Sequence, residues 1–452
     1  MALFNSKILP PHERIRRNKP NASVFLMITT VLAVIIANSP LVGLYNEILN
    51  YPIALQIGSL NIFSHHGETM SLLAFTNDVL MVLFFLQVGL EIKTESLVGE
   101  LSSFKKALLP IVGAVGGMIF PVLIFLSICH TAPASNGAAI PMATDIAFTL
   151  AVLGLMGSKV PPALKTFITT LAVADDIGGI IVIALFYSTG IHLQMLLWAG
   201  LTLLALFIIG KMGINKLWIY YLGLFVTWFF FLKSGIHTTI AGVLVAFTVP
   251  SSALISTKNL RTYAGSLLNT CSEDEQRTKK KSVLLPHKQI EAVNYVRYYA
   301  TAAICPIQRM EFQLGNLVNY LVLPLFAFVN AGVTFGSIQI SELAGIPLAI
   351  TLGLFLGKFA GIFLFSYLFI RIMGNKWPTR MTPANLAGVS ILGGIGFTVS
   401  LFISTLSYSH PETASLLNDA KLGIFAGSLI SGFVGFYILK SVLHREHAKG
   451  LL

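Results

Sequence analysis

Two adjacent acidic residues, Asp175 and Asp176, stand in the middle of the apolar stretch TLAVADDIGGIIVIAL. Neighbouring residues on a helix point about 100° apart, so one carboxylate can meet a neighbouring helix while the other faces a cavity. Two carboxylates this close in a medium of low dielectric constant resist ionising together. Protonation can therefore compete with cation binding at this pair. A mutually satisfied structural pair is the alternative.

A lysine inside another apolar stretch is the predicted partner of one of these aspartates. Lys358 lies in TLGLFLGKFAGIFLF, where glycines four residues apart let a second helix approach closely. A buried ammonium group must pair with an anion or lose its proton. The sequence predicts an ion pair with Asp175 or Asp176, either as part of the ion site or as a purely structural salt bridge.

Two apolar stretches are interrupted, one in each half of the chain. Asp145 follows Pro141 and Thr144 in IPMATDIAFTLAV, and LGGIGFTVSLF has glycines at 393, 394 and 396. Irregular backbone inside a membrane is tolerated only where it lines a cavity or is buried in protein. Such paired interruptions point to a transport site, and carboxylate and carbonyl oxygens suit a hard cation. Capping of a helix fragment is the alternative role for Asp145.

Further ionisable residues lie nearer the ends of the apolar stretches. Asp78, Glu91 and Glu95 could line an entry funnel, although charged residues near a membrane surface are usually solvated ends. His237 could titrate near physiological pH or simply pack. These residues are weaker candidates than the aspartate pair.

The composition identifies the solvent around these residues. Of the 452 residues, 55% are hydrophobic and 11% are charged, with a mean hydropathy of +0.78, whereas a soluble domain carries about 25% charged residues. This excludes a soluble enzyme, a disordered protein and a secreted disulfide scaffold. The three cysteines lack metal-ligand spacing, and no cofactor is expected.

Twelve apolar stretches predict membrane-spanning helices, each of which needs roughly 20 mostly apolar residues. They lie near 23–40, 70–91, 107–129, 134–157, 163–188, 194–210, 217–232, 235–250, 313–335, 345–370, 385–408 and 420–440. The predicted fold class is an all-α polytopic membrane protein. Residues 1–250 hold spans 1–8, residues 251–311 form a long charged cytoplasmic loop, and residues 312–452 hold spans 9–12.

The basic residues predict the orientation of these spans. With both termini in the cytoplasm, 27 of the 30 Lys and Arg residues fall on the cytoplasmic side, where positive charges are normally retained. The exceptions are Lys233 and Lys421, near outer ends, and Lys358, inside a span. The net charge of +11 therefore needs no nucleic-acid partner.

Two loops are unusual. In the first outer loop, apolar residues alternate around Gly58 and Ser59 in ALQIGSLNIF, which predicts a small β-hairpin whose edges could pair with another subunit. The inner loop 251–311 carries nine basic and five acidic residues. It is either a small cytoplasmic subdomain or a largely disordered segment.

The motifs together resemble the NhaA sodium/proton antiporters. The matching segments are NDVLMVLFFLQVGLEIK (77–93), ATDIAF (143–148), LAVADDIGGIIVIALFY (171–187), LKSGIHTTIAGV (232–243), LPLFAFVNAGV (323–333), GKFAGI (357–362) and GGIGFTVSLFI (393–403). They cover nearly every span in order, and the ATDIAF and DD motifs are specific to this family.

The resemblance implies a fold of inverted repeats in which broken spans 4 and 11 cross at the membrane middle. It implies that Asp176 is the principal cation and proton site with Asp175 beside it, and that Lys358 pairs with Asp175. Thr144 and Asp145 would support the crossing. The residues associated with the funnel and the pH response would be Glu91, Glu95, His237 and Glu311, to which we add Asp78.

The implied activity is electrogenic exchange of cytoplasmic Na⁺ or Li⁺ for external protons by alternating access, in pH and sodium homeostasis. The implied setting is the bacterial inner membrane, where lipid surrounds a homodimer formed through the outer-loop hairpin. Two departures from the family, Thr94 in place of a familiar basic residue and the long loop 251–311, make the pH profile the least transferable property.

Three other functions remain open from the residues. A sodium-coupled symporter of an organic anion would need deep Arg residues or polar aromatic pockets, which are nearly absent. An intramembrane aspartyl protease would need two Asp residues on separate helices, one in a GxGD setting that the sequence lacks. A cation channel would conduct without proton coupling.

Overall fold

The computed structural model describes residues 22–58, 60–65, 68–188, 190–256, 259, 287–335, 343–374, 377–378 and 380–448. Two charged segments of the sequence lie outside these ranges. They are the basic N-terminal residues, Lys7, Arg14, Arg16, Arg17 and Lys19, and the segment SEDEQRTKKK.

The described chain is mainly helical. Its helices are α1 (Ala22–Ala37), α2 (Val42–Leu49), α3 (Leu72–Leu97), α4 (Phe104–Ile128), α5 (Ile146–Leu155), α6 (Pro162–Phe186), α7 (Leu193–Lys211), α8 (Leu217–Ser234), α9 (Thr239–Thr248), α10 (His287–Ala303), α11 (Pro306–Asn330), α12 (Ile346–Ile372), α13 (Pro383–Leu392), α14 (Phe397–Ser407) and α15 (Ala414–Ala448). A 3₁₀ segment, Ala134–Met142, precedes α5. Single π turns interrupt α3, α11 and α12 at Thr76–Leu80, Val318–Val322 and Gly353–Gly357.

Among the described residues, eight helices are long and apolar enough to cross a membrane, and up to eleven spans result if each of three bent pairs counts as one. The bent pairs are α1 with α2 at 118°, the 3₁₀ segment with α5 at 42°, and α13 with α14 at 46°. Helix α9 is a shorter apolar helix in the stretch predicted as the eighth span. The polytopic, mainly helical architecture is confirmed, while the count of twelve spans stays a prediction.

The loop between α2 and α3 contains the predicted hairpin and further short strands. Strands β2 (Gln56–Ile57) and β3 (Leu60–Asn61) pair antiparallel around Gly58. Strand β5 (Glu68–Ser71) lies between β1 (Pro52–Ile53) and β4 (Ser64–His65) in a second, three-stranded antiparallel sheet. The small sheet confirms the β structure predicted for this loop.

Close packing between α12 and α4 fixes the position of Lys358. A Cβ atom added at Gly361 would lie 2.1 Å from the carbonyl oxygen of Gly116, and one at Gly357 would lie 2.7 Å from the Cα atom of Pro121. Only glycine allows the two backbones to approach this closely. Lys358 directly follows the π turn at this contact, so its side chain is completely buried.

Candidate ion-binding site at the crossing of two broken helices

The backbones of the two broken helices are hydrogen-bonded to each other where they cross. The N–H of Asp145 donates to the carbonyl oxygen of Ile395 at 2.6 Å. From the second broken helix, the Ser400 hydroxyl donates to the carbonyl oxygen of Ile140 in the first one, at 2.9 Å. These contacts satisfy polar backbone groups that the apolar surroundings would otherwise leave without partners.

Asp145 caps two helices that begin at this crossing. One carboxylate oxygen accepts from the N–H of Phe148 in the first turn of α5, at 3.0 Å. The other accepts from the N–H of Thr398 at 3.0 Å and from its hydroxyl at 2.6 Å, in the first turn of α14. Because helix N-termini carry partial positive charge, the buried carboxylate of Asp145 is compensated here without a cation.

Asp175 is fully buried and shares one oxygen between two donors. Its Oδ2 lies 2.5 Å from the ammonium nitrogen of Lys358 and 2.7 Å from the hydroxyl of Thr144. That hydroxyl also lies 2.9 Å from the carbonyl oxygen of Gly393. Since Thr144 has one hydroxyl hydrogen, it donates to one of these two acceptors at a time. The Oδ1 atom of Asp175 is buried and has no hydrogen-bond partner in the described part of the chain.

Asp176 differs from Asp175 in its burial and in its hydrogen bonding. It is half-buried, and no side chain or backbone group among the described ranges forms a hydrogen bond with its carboxylate. It lies close enough to the charged groups of Asp175, Glu91, Asp145 and Lys358 to interact with them electrostatically. The two adjacent aspartates therefore differ: Asp175 is paired with Lys358, whereas the Asp176 carboxylate accepts no hydrogen bond from any group that the structure describes.

A line of carboxylates leads away from Asp176 along α3. Glu91 accepts a hydrogen bond from Gln87 at 2.9 Å and lies near both Asp176 and Glu311. Glu311, on α11, lies 3.4 Å from the hydroxyl of Thr94. Glu95 is tied to α6 by the hydroxyl of Thr170 at 3.1 Å. The structure thus places three predicted funnel residues together, on the side of the site where α3 ends and α11 begins.

The structure places Asp78 and His237 together, in a different location. The Nε2 atom of His237 lies 3.8 Å from Oδ1 of Asp78, and its Nδ1 atom lies 2.7 Å from the hydroxyl of Thr239. The backbone carbonyl of Asp78, within a π turn, accepts from the indole of Trp228 at 2.7 Å.

Sequence reasoning did not predict two contacts that fix the helices in and around the site. Thr398, the second donor residue to Asp145, directly follows the glycine break and could have been noticed as a first-turn hydroxyl. The Lys93 ammonium group donates to the carbonyl oxygens of Phe247, at 2.7 Å, and Val249 at the end of α9. No pattern along the chain predicts that contact, because its partners are more than 150 residues apart.

The sequence profile of the family described as Na⁺/H⁺ antiporter 1 matches residues 13–439, a range that contains every residue of the crossing. The chain belongs to this family. Curated proteins named Na(+)/H(+) antiporter NhaA are similar to it along nearly their whole length. That of Porphyromonas gingivalis is 55% identical over 443 residues, covering 98% of both chains. That of Parabacteroides distasonis is 52% identical with 97% coverage of both, and that of Helicobacter pylori is 42% identical with 94% coverage of both.

Solved structures add little to this assignment to the Na⁺/H⁺ antiporter 1 family. The chain is similar to the sodium proton antiporter MjNhaP1 from Methanocaldococcus jannaschii, at 13% identity over 97% of this chain and 93% of that one. The TM-score is 0.36, too low for an argument about the fold. Membership of the family rests on the sequence matches, and it makes the chain a multi-pass membrane protein of a transporter family rather than of an enzyme family.

Proposed function

We propose that this chain is an electrogenic antiporter that exports cytoplasmic Na⁺, or Li⁺, in exchange for external protons. One observation carries the proposal. Of two adjacent carboxylates at the crossing, Asp175 is paired with a lysine and Asp176 is half-buried without a hydrogen bond in the described chain. A hard cation prefers such oxygen ligands. Membership of the antiporter family supports the same assignment.

The chemistry of the site is competition between a cation and a proton. Asp176 binds Na⁺ when it is ionised and releases it when it takes up a proton. Asp175 supplies a second carboxylate, whose Oδ1 has no hydrogen-bond partner within the described ranges and can turn to the cation. When Asp175 turns to the cation, the Lys358 ammonium group loses its counter-ion and can release a proton, and it takes a proton up again when the cation leaves. Together with Asp176 the site then exchanges two protons for one Na⁺, which makes net charge movement possible.

The way the crossing is built supports a mechanism of alternating access. The two broken helices are hydrogen-bonded into one unit, so they can rock together against the helices that face them. We propose that the interrupted segments belong to two inverted repeats and that α9 completes twelve crossings. The line Glu91, Glu95 and Glu311 would then be the cytoplasmic funnel, and Asp78 with His237 would lie toward the outside.

The setting follows from charge placement. Retention of basic residues inside supports an orientation with both termini in the cytoplasm, and membership of a bacterial antiporter family supports the inner membrane as the setting. The strands of the first outer loop would pair with those of a second copy, giving a homodimer. In the cell, such an exchanger would serve pH and sodium homeostasis.

The test is proton movement in vesicles that contain the reconstituted full chain and a pH-sensitive dye. Addition of Na⁺ or Li⁺, but not K⁺, should move protons, and lower pH should raise the Na⁺ concentration needed for half-maximal rate because protons compete for Asp176. Asp176→Asn should abolish the response.

Normal exchange by Asp176→Asn would contradict the assignment of the ion site. Sodium-driven uptake of a labelled organic anion would replace antiport by symport. Conductance without proton movement would indicate a channel.

A further inference from the structure

A buried carboxylate in the last turn of α15 contacts the start of the second broken helix. Glu446 is 7% exposed, although its neighbours Arg445 and His447 are exposed. One carboxylate oxygen accepts from the hydroxyl of Thr382, and the other accepts from the side-chain amide of Asn385 at 3.2 Å. Both donors lie at the N-terminal end of α13. The carboxylate therefore joins the end of α15 to the beginning of α13.

The N-terminus of α13 is capped without Glu446. The Thr382 hydroxyl accepts from the N–H of Asn385 at 3.2 Å, and the Asn385 side-chain oxygen accepts from the N–H of Thr382 at 2.9 Å. This capping box satisfies two N–H groups at the helix end. Glu446 accepts from the hydroxyl hydrogen of Thr382 and from an amide hydrogen of Asn385, neither of which the capping box uses. Its contacts thus hold α13 against α15 rather than complete the cap.

Farther along, α13 and α15 pack closely through glycines. A Cβ atom at Gly388 would lie 3.0 Å from the Cβ atom of Leu439, and one at Gly435 would lie 2.6 Å from a methyl carbon of Leu392. Burial of apolar surface has no preferred direction, whereas hydrogen bonds to a carboxylate are directional and roughly twice as strong as neutral ones. We therefore expect the Glu446 contacts to fix the position of α13 along α15.

The other end of α13 reaches the candidate ion site. A helix of 10 residues extends about 15 Å, from the capping box to Gly393. The carbonyl oxygen of Gly393 lies 2.9 Å from the hydroxyl of Thr144, which also lies 2.7 Å from Oδ2 of Asp175. Helix α15 packs against the π turn of α12 as well, since a Cβ atom at Gly427 would lie 3.0 Å from that of Leu354. Helix α15 thus supports two of the helices that form the site.

We propose that Glu446 is a positioning residue of the ion site, which keeps the Gly393 carbonyl within reach of Thr144 by holding α13 on α15. When Asp175 turns to the cation, the Thr144 hydroxyl can donate to that carbonyl instead. If α13 is displaced, Thr144 stays bonded to Asp175 and cation binding is weakened. The inference rests on the proposed antiport and concerns a residue that does not touch the ion.

The experiment compares Glu446→Ala and Glu446→Gln with Glu412→Ala in the reconstituted full chain. Glu446→Ala removes both hydrogen bonds and leaves the capping box in place, whereas Glu446→Gln keeps one acceptor oxygen. Glu412 is exposed and lies just before α15, so its replacement is the control that changes the net charge equally. Proton movement is measured over a range of Na⁺ concentrations. Hydrogen exchange of the backbone amides of α13 is followed by mass spectrometry in detergent.

Glu446→Ala should raise the Na⁺ concentration at half-maximal rate about three- to tenfold, the effect of weakening one hydrogen bond, and should retain the maximal rate. Glu446→Gln should raise it less, and Glu412→Ala should leave it unchanged. Amide exchange in α13 should be faster in Glu446→Ala than in the unmodified chain, because the helix is no longer held at its start. Glu412→Ala should not change that exchange.

An unchanged Na⁺ concentration at half-maximal rate, or a lower maximal rate alone, would overturn the proposal, because general destabilisation lowers the amount of active protein without changing its affinity. Unchanged amide exchange would overturn it as well. If Glu446→Ala does not fold, the same two measurements on Glu446→Gln decide. Absence of Na⁺-driven proton movement in the unmodified chain would instead contradict the antiport assignment, and amide exchange would then still test whether Glu446 holds α13.

Discussion

At the scale of single residues, Asp175 and Lys358 form a pair whose members depend on each other. Both side chains are fully buried, and an isolated charge in that position would be costly. A buried pair adds little net stability relative to apolar residues, but removal of one partner costs about 3–5 kcal/mol because the other charge is left uncompensated. The pair should therefore behave as a unit under mutation.

We expect Asp175→Asn to lower the midpoint of thermal unfolding in detergent strongly, since it leaves the Lys358 ammonium group unpaired. Lys358→Met should also destabilise the protein, but the double variant should regain most of the loss because neither charge remains. Thermal unfolding of the four proteins in a double-mutant cycle measures this coupling. Losses that simply add in the double variant would show that the two residues act independently.

At the scale of elements, the glycine break in the second broken helix lets three segments of the chain approach one another closely. A Cβ atom at Gly394 would lie 2.3 Å from the carbonyl oxygen of Leu354, in the π turn of α12, and 2.5 Å from the hydroxyl oxygen of Ser431 on α15. The neighbouring Gly393 carbonyl contacts Thr144. Displacement of this backbone would therefore be transmitted directly to the contacts of Asp175.

Gly394→Ala should destabilise the protein by about 1–3 kcal/mol, the usual effect of overpacking, and should raise the Na⁺ concentration at half-maximal rate. Gly432→Ala is the matched control, because its Cβ would lie 3.7 Å from the nearest side-chain atom, an ordinary van der Waals distance. Thermal unfolding and vesicle transport measure the two effects. If the two alanine variants behave alike, close approach at Gly394 is not required.

At the scale of the whole molecule, the short strands of the first outer loop are the surface that we propose joins two copies. Gln56 and Asn61 face each other across β2 and β3. Like charges placed directly opposite each other in an antiparallel pair are destabilising, and lysine on an exposed strand edge prevents pairing with another chain.

The double variant Gln56→Lys, Asn61→Lys should shift the protein from dimer to monomer in detergent, measured by light scattering. The control variant Asn46→Lys, Asn50→Lys adds the same charge in and directly after α2 rather than in β2 and β3, and should remain dimeric. If the two variants contain equal fractions of dimer, the contact between the two copies is not formed by β2 and β3.

Much of the architecture could be predicted because a membrane helix is specified by the residues within its own stretch of sequence. The length of an apolar stretch predicts a span, and a glycine or proline within it predicts an interruption. Two of the bent helix pairs lie at such interruptions: Ala134–Met142 with Ile146–Leu155, and Pro383–Leu392 with Phe397–Ser407. The short helix α9 and the sharp turn between α1 and α2 at 118° could not be predicted in the same way. Their lengths and angles depend on what packs against them.

The contacts within the candidate site could not be predicted from local sequence patterns. Asp175 and Lys358 are separated by 183 residues, and Asp145 and Thr398 by 253. Which carboxylate meets which donor depends on the rotation of each helix about its axis, and this is set by packing such as the glycine contact between α4 and α12.

By itself, the sequence determined the solvent of this protein, its membrane-spanning character and the small set of charges worth attention, because hydropathy and charge add up along the chain. The residues by themselves left the partner of Lys358 open between Asp175 and Asp176. The tertiary structure shows that Lys358 pairs with Asp175, that Asp176 has no hydrogen bond to any group in the described ranges, and that Asp145 caps two helices. The physical reason is that Asp175 and Asp176 are adjacent on one helix and have the same sequence environment, but they face different directions. Their partners therefore depend on which other helices pack on each side.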